Sequence, residues 1–201
     1  MNLKSLFLCT FLHLVAQSGE TGSVEFGSIC KPDQITESKK FIGMRAPLFA
    51  TKDSSAKPIT LKNLPKKVTI LVFIEKNCPC CTSGKDYIDR IEKYYGEETN
   101  ILGVVVGTHN DAVQWKQRTK PRFTVVSDPK GRIAKSYGVV YSLGFRVIDT
   151  KGKIILSYPG YSEPMLKELT SKISTLSGVI DLEMPTSPAP AELTQGCPLD
   201  Y

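Results

Sequence analysis

Residues 68–74 (VTILVFI) and 101–107 (ILGVVVG) are two unbroken runs of apolar, largely β-branched residues, with a stretch of helical spacing between them. A strand apolar at every position has no solvent face. It belongs inside a sheet covered on both sides, where parallel strands are joined by helical crossovers. Residues 83–95 supply the first crossover, with Tyr87, Ile88, Ile91, Tyr94 and Tyr95 on a helical period and Gly96 as a stop. Residues 111–118, carrying Val113 and Trp115, read as a short helix, and residues 123–126 as a third strand. Asp128-Pro-Lys-Gly131 is a turn before one or two helical turns at 133–137. Beyond Gly138 the pattern changes: strand-like runs at 144–148 and 153–158 flank a hairpin turn, Asp149-Thr-Lys-Gly152. Residues 162–176 close the domain as an amphipathic helix that Ser162 can cap. The order β-α-β-α-β-α-β-β-α, parallel units first and an antiparallel hairpin last, describes a single α/β sandwich.

The 201 residues suit one domain with appendages, and 41% apolar with 23% charged residues excludes a disordered or polytopic membrane chain. The net charge of +6 is spread along the chain, which gives nucleic-acid binding no support, and two histidines exclude a histidine-rich metal site. Residues 1–18 read as a signal peptide: Lys4, an apolar run at 6–16, then Ala16-Gln17-Ser18. The alternative is a retained N-terminal anchor, although the run is shorter than the roughly 20 residues that span a bilayer. Residues 19–40 form a lead-in, 41–178 the domain and 179–201 a Pro-rich tail expected to lie over the surface or stay loose. Export places the remaining five cysteines where disulfides persist. Cys30 and Cys197 are candidates for a staple between the two ends, or else two free thiols.

Three cysteines fall within four positions, Cys78, Cys80 and Cys81 in C-P-C-C. Cys78 follows a buried strand and opens a helix, where unpaired amides and the helix dipole favour a thiolate. Lys76 and Lys85 add positive potential. Cys81 is nearly one turn further on, on the same face. Such a pair can attack a disulfide with the outer sulfur and resolve the mixed disulfide with the inner one. Zinc would need further ligands, and Cys30, Cys197 and His109 are all distant in sequence. Glu75, at the end of the strand, is either a proton relay for Cys81 or an exposed strand-end carboxylate.

Residues 41–49 (FIGMRAPLF), the strand with C-P-C-C, residues 127–131 (SDPKG), 136–139 (SYGV) and 147–154 (VIDTKGKI) occur in an order that resembles the redoxin branch of the thioredoxin superfamily. The likeness is closest to exported thiol–disulfide oxidoreductases of the TlpA/ResA type. It implies a thioredoxin-like three-layer α/β/α sandwich with a central mixed sheet. It also implies Cys78 as exposed nucleophile and Cys81 as resolving thiol. The expectation is a monomeric exported enzyme with no bound organic cofactor and no stable membrane insertion once the signal is cleaved. Its partners would be protein disulfides or dithiols and an electron-donor or acceptor protein.

Three positions depart from the family pattern. Asn77 stands where tryptophan is usual, Leu143 where a cis-proline is expected, and Cys80 where proline is common. Cys80 is then a third thiol, a partner for Cys78 or a metal ligand. The rivals are a peroxiredoxin-like peroxidase, a Sco-type copper-binding assembly factor using Cys78, Cys80, Cys81 and His109, and a non-catalytic adaptor. The peroxidase motif P-x-x-x-T/S-x-x-C is not matched, because Leu71 and Glu75 precede Cys78 at its Pro and Thr/Ser positions.

Overall fold

The computed structural model describes residues 27–65 and 67–201; the expected signal, residues 1–18, and the first part of the lead-in lie outside the described residues. The chain runs β1 (Ser28–Ile29), α1 (Pro32–Lys39), β2 (Ala50–Lys52), β3 (Pro58–Thr60), β4 (Val68–Glu75), α2 (Pro79–Tyr95) and β5 (Thr99–Val106). It continues through α3 (His109–Thr119), β6 (Thr124–Asp128), α4 (Arg132–Ser136), β7 (Phe145–Ile148), β8 (Ile154–Tyr158), α5 (Glu163–Ser177) and β9 (Thr194–Gln195).

The central sheet has the order β6-β5-β4-β7-β8. Strands β4, β5 and β6 are parallel, and β7 and β8 are antiparallel additions on the far side of β4. Every residue of β4 is buried, as its unbroken apolar run requires. Ile70, Val72 and Ile74 pack with Ile88 and Ile91 of α2, Trp115 of α3 and Leu166 and Leu169 of α5. Leu71 and Phe73 face the other way, against Val104, Ile133 and Tyr137. The sheet is thus covered on both sides, a thioredoxin-like α/β/α sandwich. Gly103 interrupts the second run for a steric reason: a Cβ there would lie 2.5 Å from Phe123 Cε2 and 2.9 Å from Ile74 Cδ1.

The described part of the lead-in, residues 27–40, and the tail are packed on this domain. Helix α1 starts at Pro32 and is fixed to β8 by Ser38 Oγ and Ser157 Oγ, 2.9 Å apart. The tail is held where the Tyr95 hydroxyl donates to Asp181 Oδ1 (2.9 Å) and Arg90 Nη1 donates to the carbonyls of Pro185 (3.0 Å) and Ser187 (2.9 Å). Met184 and Leu199 are buried. Of the two arrangements expected for the tail, over the surface or loose, it takes the first, held by these two apolar side chains and the carbonyl contacts.

The staple between Cys30 and Cys197 is not formed: both are free thiols. The ends are clipped by backbone instead. Strand β1 pairs antiparallel with β9, and Cys30 N–H donates to the Leu193 carbonyl at 2.8 Å. Burial pushes the Cys30 thiol up to about 11, which leaves it protonated at neutral pH.

Arg146 is a buried cation that pairs with no carboxylate among the described residues. Its guanidinium donates to the carbonyls of Tyr137 (2.9 Å), Phe145 (2.9 Å) and Tyr158 (3.2 Å). Desolvation lowers its pKa to about 10, so it stays charged at neutral pH. Those bonds fix the Tyr137–Gly138 turn from which the loop toward the cysteines departs.

Candidate active site

Cys78 is the N-cap of α2, in extended backbone (φ −78°, ψ 118°), and Pro79 is the first helical residue. Proline suits that position, because its missing N–H would have had no helical partner. The helix therefore begins at Pro79, one turn before the apolar periodicity becomes visible. Cys78 N–H donates to the Glu75 carbonyl and Cys81 N–H to the Cys78 carbonyl, both at 3.1 Å. Strand β4 and helix α2 so fix the two sulfurs of the C-x-x-C pair relative to each other.

Cys78 is buried, at 3% exposure, with Cys80 at 8% and Cys81 at 1%. The expectation of an exposed nucleophile is corrected here. What covers it is the tail: Cys197 N–H donates to Cys78 Sγ at 3.2 Å. The tail segment runs alongside the loop after Val139, with a single antiparallel bridge between Tyr141 and Pro198. Gly196 N–H donates to the Ser142 carbonyl (2.9 Å), Ser142 N–H to the Cys197 carbonyl (2.8 Å) and Leu199 N–H to the Val140 carbonyl (2.9 Å). Close approach explains Gly196, where a Cβ would lie 2.4 Å from Ser142 Oγ and 3.2 Å from Cys78 Sγ.

Leu143, at the position expected for the cis-proline, takes a left-handed conformation (φ 62°). Its N–H donates to the Phe73 carbonyl at 2.7 Å, and its side chain rests on Gly84 of α2, where a Cβ would be 2.8 Å from Cδ2. The loop reaches the cysteines without proline and presents Ser142, whose hydroxyl lies 3.6 Å from Cys78 Sγ.

These donors converge on one sulfur. The Cys81 thiol, hydrogen-bonded to Cys78, does most to hold the Cys78 thiolate, lowering its pKa to about 4 against the cost of burial. The Cys197 thiol and N–H and the Ser142 hydroxyl add to it. Cys81 moves the opposite way, well above the ordinary thiol range, first through desolvation and then through the neighbouring Cys78. Cys197 is also raised, to about 12, by burial and by Cys78. One thiolate thus sits among thiols that keep their protons. The lysines contribute less than their sequence positions suggest: Lys76 is paired with Asp111 (3.3 Å), and Lys85 with Asp86 (3.1 Å) and Asp89 (2.6 Å).

This arrangement predicts a pH dependence. The charged form is the one stabilised, so Cys78 stays a thiolate until pH falls through about 4. The ultraviolet thiolate absorbance that Cys78→Ser removes should stay flat from neutral pH down to about pH 5, then decline. A decline centred near the ordinary thiol range would refute the thiolate assignment.

The sulfurs of Cys78, Cys80 and Cys197 all lie within 4.8 Å of one another, so these three could hold a soft metal ion. That set differs from the ligands anticipated for copper. Cys81 and His109 are outside it; His109 opens α3, with Nδ1 buried and making no hydrogen bond. Cys197 is not distant in space. Glu75 is buried rather than exposed, and its Oε2 accepts from Asp200 N–H at 3.1 Å. Sequence reasoning missed Ser142 and the position of Cys197. The one hint was the odd cysteine count once the signal is set aside.

The AhpC/TSA family model matches residues 42–157. The chain belongs to the AhpC/TSA family. It is 30% identical over 141 residues to the thiol-disulfide oxidoreductase ResA of Bacillus cereus, covering 69% of this chain and 82% of that protein. It is thus a homologue of the ResA thiol–disulfide oxidoreductases. A chloroplastic peroxiredoxin Q of Suaeda salsa is 24% identical over 131 residues, 61% of each chain. Among solved structures, the pneumococcal exposed lipoprotein thioredoxin Etrx1 from Streptococcus pneumoniae superposes with a TM-score of 0.57 at 24% identity, covering 65% of this chain and all of that one. In this family member the C-x-x-C pair opens α2 as described, and the tail segment covering it, residues 196–201, lies outside the matched region.

Proposed function

We propose that this protein is an exported thiol–disulfide oxidoreductase in which Cys78 attacks and Cys81 resolves. The observation that carries the reading is the Cys78 thiolate at the N-cap of α2, hydrogen-bonded by the Cys81 thiol one turn below it. The Cys78 thiolate attacks one sulfur of a protein disulfide, forming a mixed disulfide and expelling the other sulfur as a thiolate. Cys81 then loses its proton and attacks Cys78 Sγ. The second substrate sulfur leaves, the substrate is reduced by two electrons, and the Cys78–Cys81 disulfide remains. Run backwards, the same steps oxidise a dithiol. Glu75, buried at the end of β4 beside this pair in the chain, is assigned as the proton acceptor for Cys81. Export rests on the sequence of residues 1–18; among the described residues no helix is long and apolar enough to cross a membrane.

A Cys78 thiolate stabilised in this way favours the reduced form of the pair. The midpoint is therefore expected above the roughly −270 mV of thioredoxin, on the oxidising side. The test is differential alkylation with mass spectrometry on metal-stripped protein equilibrated in stepped glutathione buffers. A reversible change of Cys78 and Cys81 together supports the reading. A pair that does not respond across the series removes it, and the three-sulfur cluster then favours a copper-binding role.

A further inference from the structure

Residues 196–199 lie against the buried Cys78, and the side chain they set beside the nucleophile is itself a thiol. Residues 196–199 are joined to the Val140–Ser142 loop by three backbone hydrogen bonds. Cys197 N–H donates to Cys78 Sγ at 3.2 Å, and the two sulfurs lie within 4.8 Å of each other. Cys197 is also the only one of the four cysteines at this site that is partly exposed. An external sulfur therefore meets Cys197 before it meets Cys78. Cys78 is held at the N-cap of α2, so a shift of residues 196–199 can bring the two sulfurs to bonding distance.

We propose that Cys197 is a third redox cysteine of this enzyme, one that forms a disulfide with Cys78 and passes exchange between the buried pair and external thiols. The proposal rests on the oxidoreductase reading above and extends it. Starting from the Cys78–Cys81 disulfide, in which Cys78 carries no charge to hold the Cys197 proton, Cys197 loses its proton and attacks Cys78 Sγ. The Cys78–Cys197 bond forms, the Cys78–Cys81 bond breaks, and Cys81 leaves as a thiolate that takes up the proton Cys197 lost. No electrons are gained or lost in that step. A dithiol substrate then attacks Cys197 Sγ with its first sulfur, expelling the Cys78 thiolate. Its second sulfur displaces Cys197 from the mixed disulfide. The substrate leaves as a disulfide, two electrons poorer, and the enzyme holds Cys78, Cys81 and Cys197 reduced. The reverse sequence reduces a disulfide substrate. In the Cys78–Cys197 state the tail is covalently closed over the site.

The test uses Cys81→Ser in the full chain, chelator-treated, oxidised in a glutathione buffer, trapped by acid and alkylation, and mapped by mass spectrometry without reduction. The expected product is a peptide pair linking Cys78 to Cys197. Challenged with a disulfide protein such as insulin, Cys81→Ser should resolve its mixed disulfides through Cys197. The double variant Cys81→Ser/Cys197→Ser should accumulate them at least about tenfold more. The proposal is overturned if Cys81→Ser gives only a Cys78–glutathione adduct with Cys197 alkylated, or links Cys78 to Cys80. It is also overturned if the single and double variants trap partners equally. Wild-type exchange measured alongside separates the two claims: Cys78-dependent turnover without the Cys78–Cys197 link defeats this proposal alone, whereas no Cys78-dependent turnover defeats the oxidoreductase reading beneath it.

Discussion

Cys78→Ser is expected to lower disulfide exchange by on the order of 10⁴-fold or more, measured as reduction of a model protein disulfide under a fixed thiol donor. Serine keeps the N-cap geometry and comes close to the same volume, so the fold should be intact by circular dichroism. What is lost is the nucleophile. The thiol of Cys78 ionises at about 4 because Cys81, Cys197 and Ser142 donate to it in a desolvated pocket. A hydroxyl at the same place does not ionise near neutral pH, and oxygen does not enter thiol–disulfide exchange. Cys81 does not substitute for it, because burial holds its thiol well above the ordinary range. The informative contrast is Cys80→Ser, whose sulfur belongs to the same cluster. Full activity in Cys78→Ser together with its loss in Cys80→Ser would move the nucleophile to Cys80 and sink the assignment.

Removing residues 196–201 should expose Cys78 and raise its alkylation rate in the reduced protein. Three backbone hydrogen bonds join this segment to the loop at Val140 and Ser142. At about 0.5–1.5 kcal/mol net each, they set an opening cost of roughly 1.5–4.5 kcal/mol, or roughly 10- to 2,000-fold in the reactive fraction. The truncated chain keeps β9 and its pairing with β1, so the ends remain clipped. It loses the Cys197 donors, which lets the Cys78 thiolate rise in pKa, but keeps the larger contribution of Cys81. Alkylation is therefore compared at mildly alkaline pH, where Cys78 is ionised in both proteins. An unchanged rate would mean that the tail does not limit access, and that Cys78 is reached by another path.

The order of the elements was legible because it rests on local periodicity. An unbroken apolar run such as 68–74 has one consistent placement, the middle of a sheet covered on both faces, and β4 is buried at every position. Helix α5 follows its apolar face, with Ser162 as the cap that the sequence offered. The C-x-x-C pair was equally legible, since Pro79 and the strand before it fix where α2 begins. Helix α1 was not, because its apolar content is low and it is held by a contact between Ser38 and Ser157, 119 positions apart. The same holds for the hairpin β2–β3, whose three-residue strands carry no distinct pattern.

The sequence by itself determined the family, the sandwich and the position of a reactive thiol at a helix N-terminus. The tertiary structure decided how that thiol is guarded. Cys197 also lies 119 positions from Cys78, and no local period or propensity encodes their meeting. It follows from long-range pairing: β9 with β1, then residues 196–199 along the loop that Arg146 anchors at its start. Proline and small residues in the tail report only that it cannot be a regular helix or central strand. Whether such a segment drifts or docks depends on what surface its few apolar side chains and free amides meet, and here they meet the nucleophile.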